Sequence, residues 1–342
     1  MMKKLNCAVI GLGVGEKHVE SYHLHKDCEL KAVCDFNKTK LKEIKNKHKN
    51  IFTTEDANEI INSEDIDIIS IASYDNFHAE QIIGSLDNQK HIFIEKPICQ
   101  TKDEFEDIIS AIKRNPEIKL SSNLILRCTP RFKELKKVID NNELGKPYYI
   151  EASYDYGRIH KIINGWRGEL DFYSVMHGGG IHMIDLITWL MDSKIQKVYA
   201  NGTNISTLKS NFKFFDCISA SLIFDNGAIG NITANFGSVI PHGHRLAVYG
   251  TQKTFHHGPL GAAYFSERDP KAKIKSIITP YPGANKGDLI PSFINHIFNS
   301  EIPPLVTKDD VLNSMAISLA IEESLSLGQP QDVEYPLLNK NH

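Results

Sequence analysis

The chain has 342 residues, 24% charged and 41% hydrophobic, with a formal net charge of -3. This length exceeds one ordinary core and predicts two domains. The balanced charge and the lack of an apolar run near 20 residues argue against nucleic acid and membrane as partners. Six cysteines, at 7, 28, 34, 99, 128 and 217, include no C-x-x-C. They predict reduced, buried thiols in a cytoplasmic protein rather than a disulfide frame or a zinc site. Met1-Met2-Lys3-Lys4 leads straight into a strand without a signal-peptide cleavage pattern, which fits the same compartment.

Residues 5–15 read as a buried strand, a glycine turn and a helix start: Leu5 through Ile10, then Gly11-Leu12-Gly13-Val14-Gly15. This layout holds a dinucleotide. Gly11 permits the tight turn, and Gly13 lets backbone N–H groups approach a pyrophosphate at a helix N-terminus. The third glycine of G-x-G-x-x-G falls on Glu16, so Gly15 stands one place early. Asp35 ends a second strand, where a carboxylate accepts from ribose hydroxyls and repels a 2′-phosphate. Only Lys38 follows as a cation, so NAD is expected in preference to NADP.

Further strands are predicted at 7–10, 30–34, 66–72, 91–94 and 119–121. Helices are predicted near 15–25, 38–48, 55–62, 76–88 and 101–114, the last opened by a Thr101/Glu104 capping box. Continuous apolar strands alternating with helices give an α/β Rossmann domain over 1–125, a doubly wound parallel sheet binding its ligand beyond the strand C-termini. The pattern then changes. Strands at 148–154, 198–202, 216–224, 228–236 and 244–250, with an Asp225-Asn226-Gly227 hairpin turn, predict an antiparallel α+β domain over 126–342. A helix at 180–191 interrupts it, and a last helix at 308–326 is expected to return to the first domain. The Gly- and Pro-rich stretch 256–290 reads as a loop over a site. His256-His257 and the tail Asn339-Lys340-Asn341-His342 read as surface.

A strand ends at Glu95, which puts Lys96 where ligands of such sheets bind. A lysine there can donate to a substrate oxygen and stabilise the charge that develops in hydride transfer. The following Pro97 suggests a cis bond. His182, with an ordinary pKa of about 6.5, suits proton exchange. Asp185, three residues on, can orient it or hold a hydroxyl. Tyr156, Arg158, Trp166 and Arg167, with Arg127 and Arg131, offer aromatic faces for rings and forked cations for phosphate or carboxylate. His177, His182 and Asp185 carry ligand atoms, but His177 precedes the helix, so no metal is expected.

Several ordered motifs together resemble the glucose–fructose oxidoreductase / inositol dehydrogenase / MocA family (Gfo/Idh/MocA). They are Gly11-Leu12-Gly13-Val14-Gly15 with His18, Asp35, His78-Ala79-Glu80, Lys90 through Pro97, Arg127 with Pro130, Leu144-Gly145-Lys146-Pro147, Gly165-Trp166-Arg167, and Gly178 through Leu186 leading to Trp189-Leu190. The resemblance implies a Rossmann domain followed by an open-faced, mainly antiparallel sheet domain that joins a homodimer or homotetramer. It implies NAD(P)-linked oxidation or reduction at a hydroxyl carbon of a sugar, polyol or nucleotide-sugar. Lys96 carries over as the catalytic lysine and His182 as the catalytic histidine. Gly11, Leu12, Gly13, Val14, Gly15, Asp35, Ser73, Asn76, His78, Glu95, Lys96 and Asn123 fall at cofactor positions. Arg127, Tyr156, Arg158, Trp166, Arg167, His177 and Asp185 fall on the substrate side. Where many members carry an aspartate four residues before the histidine, this chain has Gly178, and Tyr173 or His177 can supply the missing polar group. A non-catalytic dinucleotide sensor of the same fold is the alternative, with Gly178 in its favour; reductases with apolar substrates share the fold as well.

Overall fold

A computed structural model describes residues 4–272 and 274–338; the tail read as surface lies outside the described residues. The chain divides into two compact units. The first comprises residues up to Ile125, Ala284–Leu312 and the stretch from Pro336; the second comprises Leu126–Gly283 and Asn313–Tyr335. The domain expected over 126–342 is therefore interrupted.

The first unit opens with β1 (Leu5–Ile10), α1 (Gly15–Leu24), β2 (Cys28–Cys34), α2 (Lys38–Lys47), β3 (Phe52–Thr54), α3 (Ala57–Ile61) and β4 (Ile68–Ile71). It continues with α4 (His78–Asp87), β5 (His91–Ile94), α5 (Lys102–Arg114) and β6 (Leu120–Ser122). All six strands are parallel, in the order β3-β2-β1-β4-β5-β6, a Rossmann sheet. The apolar runs of β1, β4 and β5 are buried because helices cover both faces. The α5 capping box forms: the Thr101 hydroxyl accepts from the Glu104 N–H, and the Glu104 carboxylate accepts from the Thr101 N–H.

The second unit contributes α6 (Pro130–Asp140), β7 (Pro147–Asp155), α7 (His160–Ile163), α8 (Ile181–Met191) and β8 (Ile195–Thr203). It then adds β9 (Cys217–Phe224), β10 (Ile229–Asn235), β11 (Gly243–Gly250), β12 (Thr254–Gly258), β13 (Gly261–Phe265) and β14 (Lys275–Ile277). The chain next supplies α9 (Ile290–Phe298) to the first unit. Then come α10 (Lys308–Leu327), whose first five residues belong to the first unit, and β15 (Gln331–Asp332) in the second. The nine-stranded sheet runs β14-β13-β12-β11-β7-β10-β9-β8-β15 and is antiparallel except for the β7–β10 pair. Along β9, Ile218, Ala220, Leu222 and Phe224 are buried while Ser219, Ser221 and Ile223 alternate to the other face. The buried face shares its core with Met183, Ile184, Leu186, Ile187 and Leu190 of α8. The loop expected over 256–290 is corrected in part: residues 256–258, 261–265 and 275–277 pair in β12, β13 and β14, and most of the remainder is turn and loop.

Residues 284–312 join the first unit for a physical reason. The Phe293 ring of α9 lies 5.8 Å from Phe93 of β5. The Ser121 hydroxyl donates to the Val306 carbonyl at 2.8 Å. No helix among the described residues is long and apolar enough to cross a membrane.

Candidate functional site

The glycine turn after β1 is shaped for a close visitor. Gly11 has φ +88°, and a Cβ there would stand 2.3 Å from the Ala72 carbonyl oxygen. Any L side chain is excluded by conformation and by space. A Cβ at Gly13 would meet nothing within 4 Å, so the backbone is open to approach. Gly15 begins α1, and its Cβ would stand 2.9 Å from the Val9 side chain. The packing role of the pattern's third glycine thus falls on Gly15, one place early, at the first residue of α1. Leu12 is buried, and Val14 is partly exposed at the helix start.

Asp35, half-buried beyond β2, accepts from the Leu12 N–H at 2.6 Å and the Asn37 N–H at 2.7 Å. A carboxylate has about four acceptor sites, so capacity remains for two ribose hydroxyls. Lys40 donates to the Leu12 carbonyl at 3.0 Å and steadies the same turn.

Beyond β4, the Ser73 hydroxyl donates to Gln81 at 2.7 Å, and Asn76 is exposed in a short turn. His78, expected at a cofactor position, stands as a brace between two loops. It is fully buried, with ring nitrogens 2.6 Å from the Pro97 carbonyl and 3.2 Å from the Ser73 carbonyl. It ties the loop after β4 to the loop after β5, where the Lys96–Pro97 bond is cis.

Glu95 anchors a buried polar chain that the sequence reading missed. The Asn123 amide donates to Glu95 at 2.7 Å and to the Lys286 carbonyl at 2.8 Å. His18, fully buried on α1, lies 2.9 Å from the Ser70 hydroxyl and 3.5 Å from Glu95. Burial alone would raise the Glu95 carboxyl. The Lys286 ammonium, His18 and Lys96 outweigh it and hold the group well below the usual carboxylate range. Asn123 Oδ1 is buried with no hydrogen-bond partner among the described residues, an acceptor still available to a ligand amide. Lys286 sits in the Gly- and Pro-rich stretch flagged in the sequence, its segment held by the Ser21 hydroxyl donating to the Gly287 carbonyl at 3.0 Å.

In the second unit, His182 stands in the first turn of α8, 5% exposed, its ring stacked 6.0 Å from Tyr154. Tyr154 continues to Tyr156 at 6.1 Å, and Tyr156 to Phe236 at 4.4 Å. His242 and His244 of the β11 region each lie 5.2 Å from Tyr154, completing an aromatic wall. The sequence reading missed both histidines. Their signal was the alternation of His242 and His244 beside a glycine, which places both on one strand face.

The glycine run before His182 is packed against this wall. A Cβ at Gly179 would stand 2.6 Å from the Tyr154 ring, and one at Gly180 2.2 Å from the Met176 sulfur. A Cβ at Gly178 would stand 2.0 Å from the Tyr173 hydroxyl oxygen and 2.7 Å from its ring carbon. The Tyr173 phenol therefore occupies the space of a residue-178 side chain. Gly178→Ala is expected to destabilise the protein by about 1–3 kcal/mol through overpacking. Combined with Tyr173→Ala, most of that added cost should vanish in denaturant unfolding; equal costs in both backgrounds would refute the contact.

Two groups expected on the substrate side meet each other. Arg127 and Asp185 are buried and paired with each other, the guanidinium donating at 2.6, 3.0 and 3.1 Å. Arg127 also lies 5.6 Å over Trp189. Arg131 donates to the Thr279 carbonyl at 2.7 and 3.1 Å and meets His257 at 3.0 Å. His257 is accordingly buried rather than on the surface, and burial and the Arg131 charge push its imidazole down to about 4. Arg158 is exposed with its guanidinium 5.8 Å over Tyr156, and Arg167 lies 4.4 Å over Trp166. His177 is buried, with Nδ1 2.7 Å from the Ser318 hydroxyl. No group of three metal-ligating side chains occurs among the described residues.

A glycine turn, an acid closing β2 and a six-stranded parallel sheet define a dinucleotide-binding oxidoreductase class. Comparison with known families makes this specific. Residues 5–123 match the oxidoreductase family, NAD-binding Rossmann fold, and residues 132–256 match the GFO/IDH/MocA C-terminal domain. The chain belongs to the Gfo/Idh/MocA oxidoreductase family, and its first unit is an NAD-binding domain. It is 25% identical to myo-inositol 2-dehydrogenase of Thermotoga maritima, over 94% of this chain and 96% of that protein. Its fold is similar to levoglucosan dehydrogenase in complex with NADH, with TM-score 0.83, 20% identity, and coverage of 98% of this chain and 100% of that one. It is similar too to scyllo-inositol dehydrogenase from Lactobacillus casei with bound NAD(H) and scyllo-inositol, with TM-score 0.79, 19% identity, and coverage of 97% and 99%.

Proposed function

We propose that the chain is an NAD-dependent dehydrogenase that oxidises a CH–OH carbon of a neutral cyclic polyol or sugar, and reduces the ketone in reverse. The observation that carries this reading is His182, set in an aromatic wall with the Tyr173 phenol filling the place beside it that Gly178 leaves open. NAD, when bound, supplies the hydride acceptor. Gly11 and Gly13, before the helix that Gly15 opens, would admit its pyrophosphate, Asp35 would hold the ribose, and Asn123 would offer its open Oδ1 to the carboxamide.

Lys96 donates a hydrogen bond to the substrate oxygen and steadies the charge that grows there. His182 takes the hydroxyl proton as hydride leaves the carbon, and Tyr173 supports it as a second proton-bearing group. The aromatic faces of Tyr156 and Trp166 suit stacking on a ring's C–H face. Neutral substrates are favoured over nucleotide-sugars because Arg127 and Arg131 are already engaged, the first neutralised by Asp185. The inositol and levoglucosan dehydrogenases among the relatives point the same way. The Tyr173 phenol beside Gly178 supports the enzyme reading over a sensor. The open sheet face, with Glu151, Asn231, Thr233 and Arg245 around a cavity of about 810 Å³, is proposed as the contact between copies in a homodimer or homotetramer.

The test is absorbance at the nicotinamide band with NAD and a panel of inositols, glucosides, anhydro-sugars and nucleotide-sugars. A change with a cyclic polyol or sugar is the expected result. A change with nucleotide-sugars alone would overturn the neutral-substrate assignment, and bound cofactor with no change across the panel would restore the sensor.

A further inference from the structure

We propose that Glu322 is a positioning residue: through the Ser174 hydroxyl it fixes the turn that carries His177 and leads into the helix of His182. The inference rests on the reading above that this turn serves the reaction.

The geometry lies wholly within the second unit. Residues 176–180 form a single wide turn, a π-helical one, directly before α8. Such turns are rare and recur at functional sites, and this one has support from outside its own helix. Here the support is the Ser174 oxygen, which accepts from the Met176 N–H at 3.0 Å and the His177 N–H at 3.2 Å. A hydroxyl that accepts twice has its own proton left to donate. That proton goes to the Glu322 carboxyl on α10. One helical turn earlier on α10, the Ser318 hydroxyl meets His177 Nδ1 at 2.7 Å. Two adjacent groups on α10 thus grip the backbone and the side chain of one turn. Neither contact was foreseeable locally, because both span more than 140 residues.

A carboxyl is an unusual choice for this place. Glu322 is only partly exposed, and burial raises it from the ordinary 4.5 to about 7, against the lowering effect of its Ser174 bond. The titratable group that the facing turn brings to the same stretch of α10 is His177. On α10 itself Glu323 is exposed. At its contact with α10, β8 presents the Ala200 N–H to Ser324, which carries no charge. A carboxyl raised by folding gives stability that is complete below its unfolded pKa and is lost as pH rises through about 7. Glutamine at this position still accepts from Ser174 but does not ionise.

The experiment compares wild type with Glu322→Gln, Glu322→Leu and Ser174→Ala. Glu322→Leu and Ser174→Ala should each lower kcat at least about 10-fold with KM nearly unchanged, because the turn is displaced rather than the substrate contacts removed. Glu322→Gln should keep kcat within about twofold. If Glu322→Leu does not fold, Ser174→Ala carries the comparison. Independently of activity, the thermal midpoint of wild type should fall relative to Glu322→Gln between pH 5.5 and pH 8. Wild-type kcat in Ser174→Ala, a Glu322→Gln enzyme as slow as Glu322→Leu, or a midpoint difference flat across pH would each overturn the proposal. If wild type turns over no substrate at all, the proposed function fails, and the midpoint comparison alone decides the Glu322 link.

Discussion

Lys96→Ala is expected to lower turnover by at least about 100-fold while NAD affinity stays nearly unchanged. The lysine follows β5 at the carboxyl edge of the parallel sheet, where open α/β sheets place their ligands. Its proposed work is on an oxygen whose charge grows only as hydride leaves, so its loss falls on kcat. The pyrophosphate and ribose contacts belong to the glycine turn and Asp35, so cofactor binding should survive. Glu95 should stay ionised as well, because Lys286 contributes more than Lys96 to holding its carboxyl down. Steady-state kinetics and a fluorescence titration with NADH separate the two effects. Unchanged turnover would remove Lys96 from the mechanism, and a parallel loss of NADH affinity would recast it as a cofactor ligand.

Arg127→Ala should cost about 3–5 kcal/mol of stability, because it leaves a buried carboxylate without its charge partner. Asp185 is fully buried on α8, and Arg127 meets both its oxygens. For a unit of this size the loss amounts to a fall of roughly 10 °C in thermal midpoint. Replacing both partners together, Arg127→Met with Asp185→Leu, should recover most of it, since no unpaired charge remains. Thermal unfolding of the single and double variants checks this. A single variant within about 0.5 kcal/mol of wild type would show that Asp185 finds water or another partner.

What could be read in the sequence was what local physics decides. The runs at 7–10 and 91–94 are strands in the structure because a parallel strand covered on both faces is apolar throughout. The Asp225-Asn226-Gly227 turn joins β9 to β10 as expected, with Gly227 at φ +83°. The Thr101/Glu104 box needed only residues three apart. By contrast β3 is three residues long, and α6 buries only Phe132 and Leu135, so neither carries enough periodicity to stand out. β12 to β14 were hidden by the glycines and prolines between them.

Within the site, the glycine turn was legible because its constraint lies in the backbone. The fates of the arginines were not. Arg127 meets its acid 58 residues away, and Arg131 meets His257 126 residues away. A cation in a sequence carries no mark of whether tertiary structure has already assigned it a partner. Lys286 was hidden for the same reason, since its effect on Glu95 depends on 284–312 returning to the first unit.

That return has a consequence for how the chain comes off the ribosome. Residues up to Ile125 emerge first, yet the sheet they form is finished by a segment that ends at Leu312. At about 5–20 residues per second, synthesis of the intervening stretch takes roughly 10–40 s. Throughout that interval the Phe93 side of the nascent sheet lacks Phe293, and Ser121 lacks its carbonyl acceptor. The NAD-binding half, although first to be translated, is therefore among the last parts of the chain to be completed.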